Sequence, residues 1–526
     1  MVYSVKDWVS YEKIFATDLD RMEDGIYGRA FSKVVAVDGQ RGDEATIQAA
    51  LSALAAAGGG ACFVKANLDD GINPPQITIN SALDLDDNVH LFSDGVRLIR
   101  GGGLATAMIR VLSTSTHSRI GGLIVDGNGG GGQPAILVGQ GGASENTFIE
   151  NCRITDWTNP GIDIIGGAKN VHIQHCILDN ITQHGIFADI NSGDYVTAYK
   201  NYLYNCGTAV GYRPVQLSNG DGHIIEANWI DGGQAGIQAS GPRNSLSFTK
   251  NHILNTIGVG IHAEADNSII ADNFIDAPGT HGMQIKGDIL KIVNNVINTP
   301  TTNGFYVFDP SPSYISLLNN DVYNAGVDAV RITGGTGTFK ALFNRFRSTG
   351  GDAIDIQGGA FLYDICHNLL EPTINGTNGI IVATGALAAG SRFCYNWLDA
   401  LNQNITGFQI DATGVENIMV NHNIIRSISN GDGILMWAAD ASTIIGNSIR
   451  NVAQAGGSNY IRVNMVGGVI SLNAIYNPAA KPGTGIIEFG TSDWNNVTSN
   501  TIRGYTIAPI TLIGANSQSL GNLVQP

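Results

Sequence analysis

The chain has 526 residues, 43% of them hydrophobic and only 14% charged, with 68 glycines, 15 prolines and a formal charge of −16. That much apolar material with so little proline excludes a disordered chain, and the acidic balance excludes nucleic acid or an anionic membrane surface as the natural partner. Six cysteines without a CxxC pair give neither a zinc site nor a disulfide framework.

The opening, Met1-Val-Tyr-Ser-Val-Lys-Asp-Trp8, carries no apolar run of signal-peptide length, and nowhere do about 18 apolar residues run together as a membrane span requires. Export by a general secretory route and membrane insertion are therefore not expected. Residues 17–26 begin with a Thr cap and place Leu19, Met22 and Ile26 on one face, which predicts a short amphipathic helix. Then Val34–Asp38 reads as a strand, Ala45–Ala57 as an Ala-rich helix capped by Asp43 and stopped by glycines, and Gly58–Val64 as a second strand. The helix is placed to cover the open end of the strands after it.

The rest of the chain is a repeat. Fourteen asparagines recur at intervals of 22 to 28 residues: Asn201, Asn228, Asn251, Asn273, Asn295, Asn320, Asn344, Asn368, Asn396, Asn423, Asn447, Asn473, Asn500 and Asn522. Cys152 and Cys176 hold the two preceding registers. Each unit reads as an apolar pair, the Asn, x-Ile, a polar turn and then Gly-Ile-x-Ile, as in Gly282-Met283-Gln284-Ile285. Alternation over such short runs is the strand period, with no room for a helix between ladder positions. The expectation is an all-β solenoid, a right-handed parallel β-helix of roughly 16 coils stacked about 4.8 Å apart, with the amides bonding along the stack. A leucine-rich repeat would need a leucine spacing and a helix that are absent. Residues 1–33 are assigned to an N-terminal helical or attachment segment, and 34–526 to the β-helix, of which 34–116 hold the cap and irregular first coils and 117–522 the regular ones. Cys366 and Cys394, each two residues before a ladder Asn on neighbouring coils, are expected to be stacked thiols, with a disulfide as the alternative.

Four motifs carry resemblances. Ala16-Thr-Asp-Leu-Asp-Arg-Met-Glu-Asp-Gly-Ile26 resembles the opening common near the start of bacteriophage tail and baseplate proteins. The strand, Asp43-capped helix and Gly58-Gly-Gly-Ala-Cys-Phe-Val64, together with the coils, resemble the pectate-lyase-like superfamily, in which phage tailspikes sit beside lyases, hydrolases and epimerases. Tyr306-Val-Phe-Asp309-Pro-Ser311 looks like the Y-G-F-D-P-H motif of mannuronan C5-epimerases and related alginate lyases, with Ser311 where His belongs and Thr333 where a second Asp belongs. His281-Gly282 and Ile285-Lys286 are similar to polygalacturonase motifs whose paired acids are missing here. The tailspike resemblance implies a homotrimer and a virion or extracellular location.

If the aliphatics of Gly-Ile-x-Ile-x point inward, the x positions form two outward columns. The first is expected to read Asp163, Phe187, Gly211, Gln238, His262, Gln284, Tyr306, Arg331, Asp355, and the second Ile165, Asp189, Arg213, Ser240, Glu264, Lys286, Phe308, Thr333, Gln357. Mixed acids, bases, amides and aromatics suit a bacterial surface or extracellular polysaccharide: rings pack on Phe or Tyr, hydroxyls bond to Gln and carboxylates, and Arg or Lys meets an anionic substituent. Asp189–Arg213 and Glu264–Lys286 should stack as pairs, often no more than surface bridges. Glu264 and Asp309, two coils and about 9–10 Å apart, are the candidate acid pair of an inverting glycoside hydrolase, with His262 and Tyr306 assisting. Asp189, Arg213, Gln238, Gln284, Lys286, Phe187, Phe308, Arg331 and Asp355 are the candidate substrate contacts. The alternatives are a uronate lyase or epimerase using Tyr306 as base with Lys286 or Arg331, and a glycan-binding adhesin or structural spike without catalysis. Asp179, Asp231 and Asp276 form an acidic column on another face. No cofactor or dedicated metal motif is visible, and a structural calcium at an acidic turn is compatible with the composition.

Overall fold

From Asn201 onward each coil turns one corner on the same device. The computed structural model describes residues 32–37, 43–66 and 76–525, except 114, 131, 190–192, 242, 309–312, 359, 373–378, 385–386, 404, 430, 453–457, 482–483 and 506–507. The residue before each ladder asparagine is in the left-handed backbone region, with φ of 57° at Lys250, 55° at Asn294 and 53° at Asn319. That conformation costs an ordinary residue roughly 1–2 kcal/mol. The buried amide next to it offsets the cost. From Asn201 to Asn500 every ladder Nδ2 donates to the Oδ1 of the next coil, ending on Asn522, at 2.9–3.1 Å. Cys176 continues the register, its backbone N–H donating to Asn201 Oδ1 at 2.9 Å.

The ladder corner joins two of the three strands of a coil. Ser268–Ala271 belongs to the first sheet, Phe274–Asp276 to the second and Met283–Lys286 to the third. Repetition gives three parallel sheets of 20, 19 and 18 strands among the described residues, a solenoid of about 16 coils. Alternate residues point in, so that Ile253, Ile275 and Ile297 are fully buried in one vertical row of a continuous aliphatic core. Each such side chain stabilises by roughly 1.5–3 kcal/mol.

The helix is observed as Asp43–Ala56, with Ile47, Leu51 and Leu54 buried against the first coils. Glu44 accepts the backbone N–H groups of Asn80 and Ser81, both at 2.7 Å, and Gln48 accepts that of Asp84 at 2.8 Å. These bonds satisfy donors that an uncovered coil would leave open. The helix expected over 17–26 lies outside the described residues. All six cysteines are free thiols. Among the described residues no helix is long and apolar enough to cross a membrane.

Candidate functional site

The third sheet carries the outward columns in strict register. Gln238, His262, Gln284, Tyr306, Arg331 and Asp355 are vertical neighbours on six successive strands, and beside them Glu264 pairs with Lys286, Phe308 with Thr333, and Thr333 with Gln357. An aromatic wall stands in the middle of this band. The His281 and Tyr306 rings stack at 4.7 Å, Tyr306 and Phe308 at 5.8 Å, and His262 meets Phe308 edge-on at 5.9 Å. Lys286 Nζ lies over the Phe308 ring at 5.8 Å. Tyr306 OH accepts the Thr333 hydroxyl at 3.3 Å, and His281 Nδ1 meets Thr302 Oγ1 at 2.8 Å. Burial, reinforced by Arg331, lowers His281 to about 4, so its ring is neutral near pH 7.

At the lower end the register departs from expectation at one coil. The strand there is Val215–Leu217, so Gln216 sits above Phe187 where Gly211 was expected, and Arg213 belongs to the preceding turn. Residues 207–214 lengthen that turn, and the Gly-x-Arg spacing imitates the strand pattern without forming it. Arg213 is therefore not the vertical neighbour of Asp189. It still reaches the band: its backbone N–H donates to His184 Nδ1 at 3.1 Å and its Nε donates to Gln238 Oε1. His184 stacks on Phe187 at 4.4 Å, forming a second small aromatic patch. Asp163, one coil below Phe187, is raised to about 7 by burial and by the Asp189 charge.

Glu264 is the accessible acid of the middle coils, with 27% of its side chain exposed. Its Oε2 accepts the Gly241 backbone N–H at 3.1 Å, and its Oε1 is 3.4 Å from His262 Nε2, an approach whose geometry falls short of a hydrogen bond. Burial holds His262 below its ordinary value despite the carboxylate beside it. Asp309, the intended partner of Glu264, lies outside the described residues.

The upper end holds what the columns did not reveal. Asp328 and Asp352 occupy turns that lead into neighbouring strands, and Asp355 lies on the second of these. The three carboxylates, all buried, bring oxygens within 4.8 Å of one another. Arg331 faces two of them, Nη1 at 4.0 Å from Asp328 Oδ2 and Nε at 3.9 Å from Asp355 Oδ2. Burial, with the Asp355 charge, raises Asp328 to about 6, and burial raises Asp355 as well. One cation against three carboxylates leaves excess negative charge, which these groups relieve by binding a proton. Oxygen ligands are the kind a hard cation such as calcium takes, and among the described residues this is the group of acids close enough together to hold one. The acids come from two coils, so only the coil length connects them along the chain; the signal was the Asp at the same offset before each Gly-Ile-like pair.

Farther up the same sheet, Trp437 is 47% exposed and meets Phe489 edge-on at 5.0 Å, with Arg462 over that ring at 4.5 Å. This second aromatic and cationic locus escaped the sequence reading because its coils are irregular in length. The acidic column Asp179, Asp231 and Asp276 does climb the second sheet in two-coil steps, bonded to Arg153, Asn255 and Asn298.

Three stacked parallel sheets, a buried amide ladder and a capping helix define a parallel β-helix protein. A family model described as the right-handed β-helix region matches residues 109–275 and 190–346, within the stacked coils. Among solved structures, the pre-mature gene product 12 of bacteriophage phi29 is similar at 11% identity and a TM-score of 0.53, over 98% of this chain and 75% of that one. The tailspike protein of E. coli bacteriophage HK620, in complex with a pentasaccharide, matches at 12% identity and a TM-score of 0.36, over 93% and 76%. The A-module of Azotobacter vinelandii mannuronan C-5 epimerase AlgE6 matches at 16% identity and a TM-score of 0.22, over 93% and 97%. At these identities the likeness is one of fold alone. No curated protein matches the sequence.

Proposed function

We propose that this chain binds a bacterial surface or extracellular polysaccharide along its third sheet and hydrolyses one of its glycosidic linkages. The observation that carries the reading is the in-register band itself: amides, a paired acid and imidazole, a stacked aromatic wall and a flanking cation on successive strands. Six strands at about 4.8 Å make a surface roughly 24 Å long, enough for several sugar rings in a row. Tyr306 and Phe308 offer apolar ring surface, Gln238 and Gln284 pair with hydroxyls, and Lys286 and Arg331 receive an anionic substituent. Because Asp328 and Asp355 sit behind Arg331 and are almost wholly buried, their role is to orient that guanidinium. Glu264, half-buried and backed by His262, is the group that can reach a glycosidic oxygen or a water, with Asp309 as its partner carboxylate.

A second reading, β-elimination or epimerisation of a uronate, is favoured by one observation. Tyr306 stands directly beneath Arg331, with Lys286 on the strand below, so a base and the cations that would neutralise a uronate carboxylate share one patch. The likeness of the fold to gene product 12 of bacteriophage phi29 and the resemblance of residues 16–26 support a spike on a virion, for which the tailspike resemblance implies a homotrimer.

The test is a panel of capsular and exopolysaccharides assayed with wild-type protein and with Glu264→Gln, Asp309→Asn and Tyr306→Phe. Hydrolysis releases reducing ends, and loss of about 10³-fold turnover in Glu264→Gln with binding retained supports the acid assignment. Unsaturated uronate products abolished by Tyr306→Phe support elimination instead. Binding without either product makes the chain an adhesin, and unchanged turnover in all three variants removes the site from this sheet.

A further inference from the structure

Two pairs of cysteines stack on neighbouring coils, and their surroundings differ. Cys152 and Cys176 occupy ladder registers, are 2% and 1% exposed, and lie among backbone carbonyls, where burial raises the Cys176 thiol far above its ordinary value. Cys366 and Cys394 are the last residues of adjacent first-sheet strands, Ala360–Cys366 and Arg392–Cys394, and are direct register partners. Their inward neighbours are Ile365 and Phe393, so both thiols face outward, each 8% exposed. They share their column with charge: Asp364 and Arg392 sit two residues earlier on the same strands and bridge at 2.7 Å.

We propose that Cys366 and Cys394 form a reversible dithiol–disulfide site on the outer face of the first sheet, oxidised by hydroperoxides. The geometry meets the bond's requirements. Partner strands of a parallel sheet lie about 4.8 Å apart, within the roughly 4.4–6.8 Å that Cα atoms of a disulfide span. The two sulfurs also have distinct parts. Cys394 is the nucleophile: the Cys366 thiol donates to its sulfur, the Asn421 backbone N–H adds a second bond and the Arg392 charge a third contribution, which together lower its pKa. Cys366 is the resolving thiol, kept protonated by that same bond to Cys394 and by burial, with Asp364 Oδ1, 3.2 Å from its sulfur, as the alternative acceptor of its one S–H.

The chemistry balances without a cofactor. The Cys394 thiolate attacks one oxygen of the peroxide, an S–O bond forms, the O–O bond breaks, and hydroxide leaves to become water on taking a proton. The Cys366 sulfur then attacks the sulfenic sulfur, the S–S bond forms and the S–O bond breaks. The Cys366 proton passes by way of Asp364 to the departing hydroxide, which leaves as the second water. Two thiols lose two electrons, and one peroxide is reduced to two waters. A thiol or dithiol reductant reverses the change.

The test uses the full chain and hydrogen peroxide. Peptide mapping without reduction should find a Cys366–Cys394 linked peptide in treated protein, lost on adding dithiothreitol, while Cys152 and Cys176 remain unlinked. Under native conditions iodoacetamide should modify Cys394 roughly tenfold or more faster than any of the four inward cysteines, with a pH midpoint below the ordinary thiol value of about 8.5. In Cys366→Ser, dimedone should capture a sulfenic acid at Cys394; in Cys394→Ser it should capture none at Cys366. Absence of the linked peptide in wild-type protein at peroxide levels that oxidise a free cysteine peptide overturns the proposal, and so does equal alkylation of Cys394 and Cys176. Both results are read on wild-type protein and do not depend on a variant folding.

Discussion

Replacing Asn295 tests the ladder at one of its fully buried points. The side chain is fully buried and engages five partners. Its Oδ1 accepts the Asn273 backbone N–H at 3.0 Å and the Asn273 Nδ2 at 2.9 Å, while its Nδ2 donates to Ile270 O at 2.9 Å, Val293 O at 3.1 Å and Asn320 Oδ1 at 3.0 Å. Asn295→Ala leaves the Asn273 N–H without its acceptor and the facing groups underbonded, at about 1–3 kcal/mol for each unsatisfied group. Some partners keep other bonds, since Asn273 Nδ2 still reaches Phe248 O at 2.8 Å. The expected loss is therefore about 3–5 kcal/mol rather than the sum of five bonds. Asn295→Asp, nearly the same shape, turns an acceptor toward Ile270 O and Asn320 Oδ1 and buries a charge, so it should cost more than Ala near neutral pH. The double variant Asn273→Ala/Asn295→Ala should fall short of additivity by about 1–2 kcal/mol, because the two residues share bonds. Urea unfolding monitored by circular dichroism gives the overall shift. Native-state hydrogen exchange should localise the opening to the coils next to residue 295, as expected for a solenoid in which each repeat touches only its neighbours. An Ala variant within about 1 kcal/mol of wild type, or an Asp variant no worse than Ala, would refute the claim that the amides carry the corner.

Three further outcomes are expected. Asp163 is raised from the ordinary 3.8 to about 7, so folded protein loses stability as pH rises through that range, by up to about 4 kcal/mol once the group is ionised; Asp163→Asn should raise the melting temperature at pH 8 and have little effect at pH 4, and equal effects at both would remove the cause. Leu472 is 64% exposed in the left-handed region at φ 57°, so Leu472→Asn should be neutral or stabilise by up to about 1 kcal/mol, whereas a large loss on thermal melting would show that the corner needs the leucine. If Arg331 receives an anionic substituent, Arg331→Ala should weaken binding of a charged glycan by about tenfold and of its neutral counterpart hardly at all, as read by calorimetry at two salt concentrations.

The coil was legible in the linear chain. A buried amide at one register, an aliphatic residue two places later and alternation on either side leave a stack of strands as the arrangement that satisfies both hydrogen bonding and burial, and the helix Asp43–Ala56 could be read from its cap and its glycine stop. Most of the band was legible too, since His262, Gln284, Tyr306, Arg331 and Asp355 come from counting alternate residues on coils of regular length. The remainder depended on packing in three dimensions. The turn before Val215 absorbs extra residues, and counting alone could not tell that Gln216 and not Gly211 reaches the face. Asp328, Asp352 and Asp355 are separated along the chain and become neighbours only because one coil lies on the next. Left-handed corners carrying Lys250, Phe343 or Leu472 defy local preference, and the stacked amides beside them supply the free energy that holds them there.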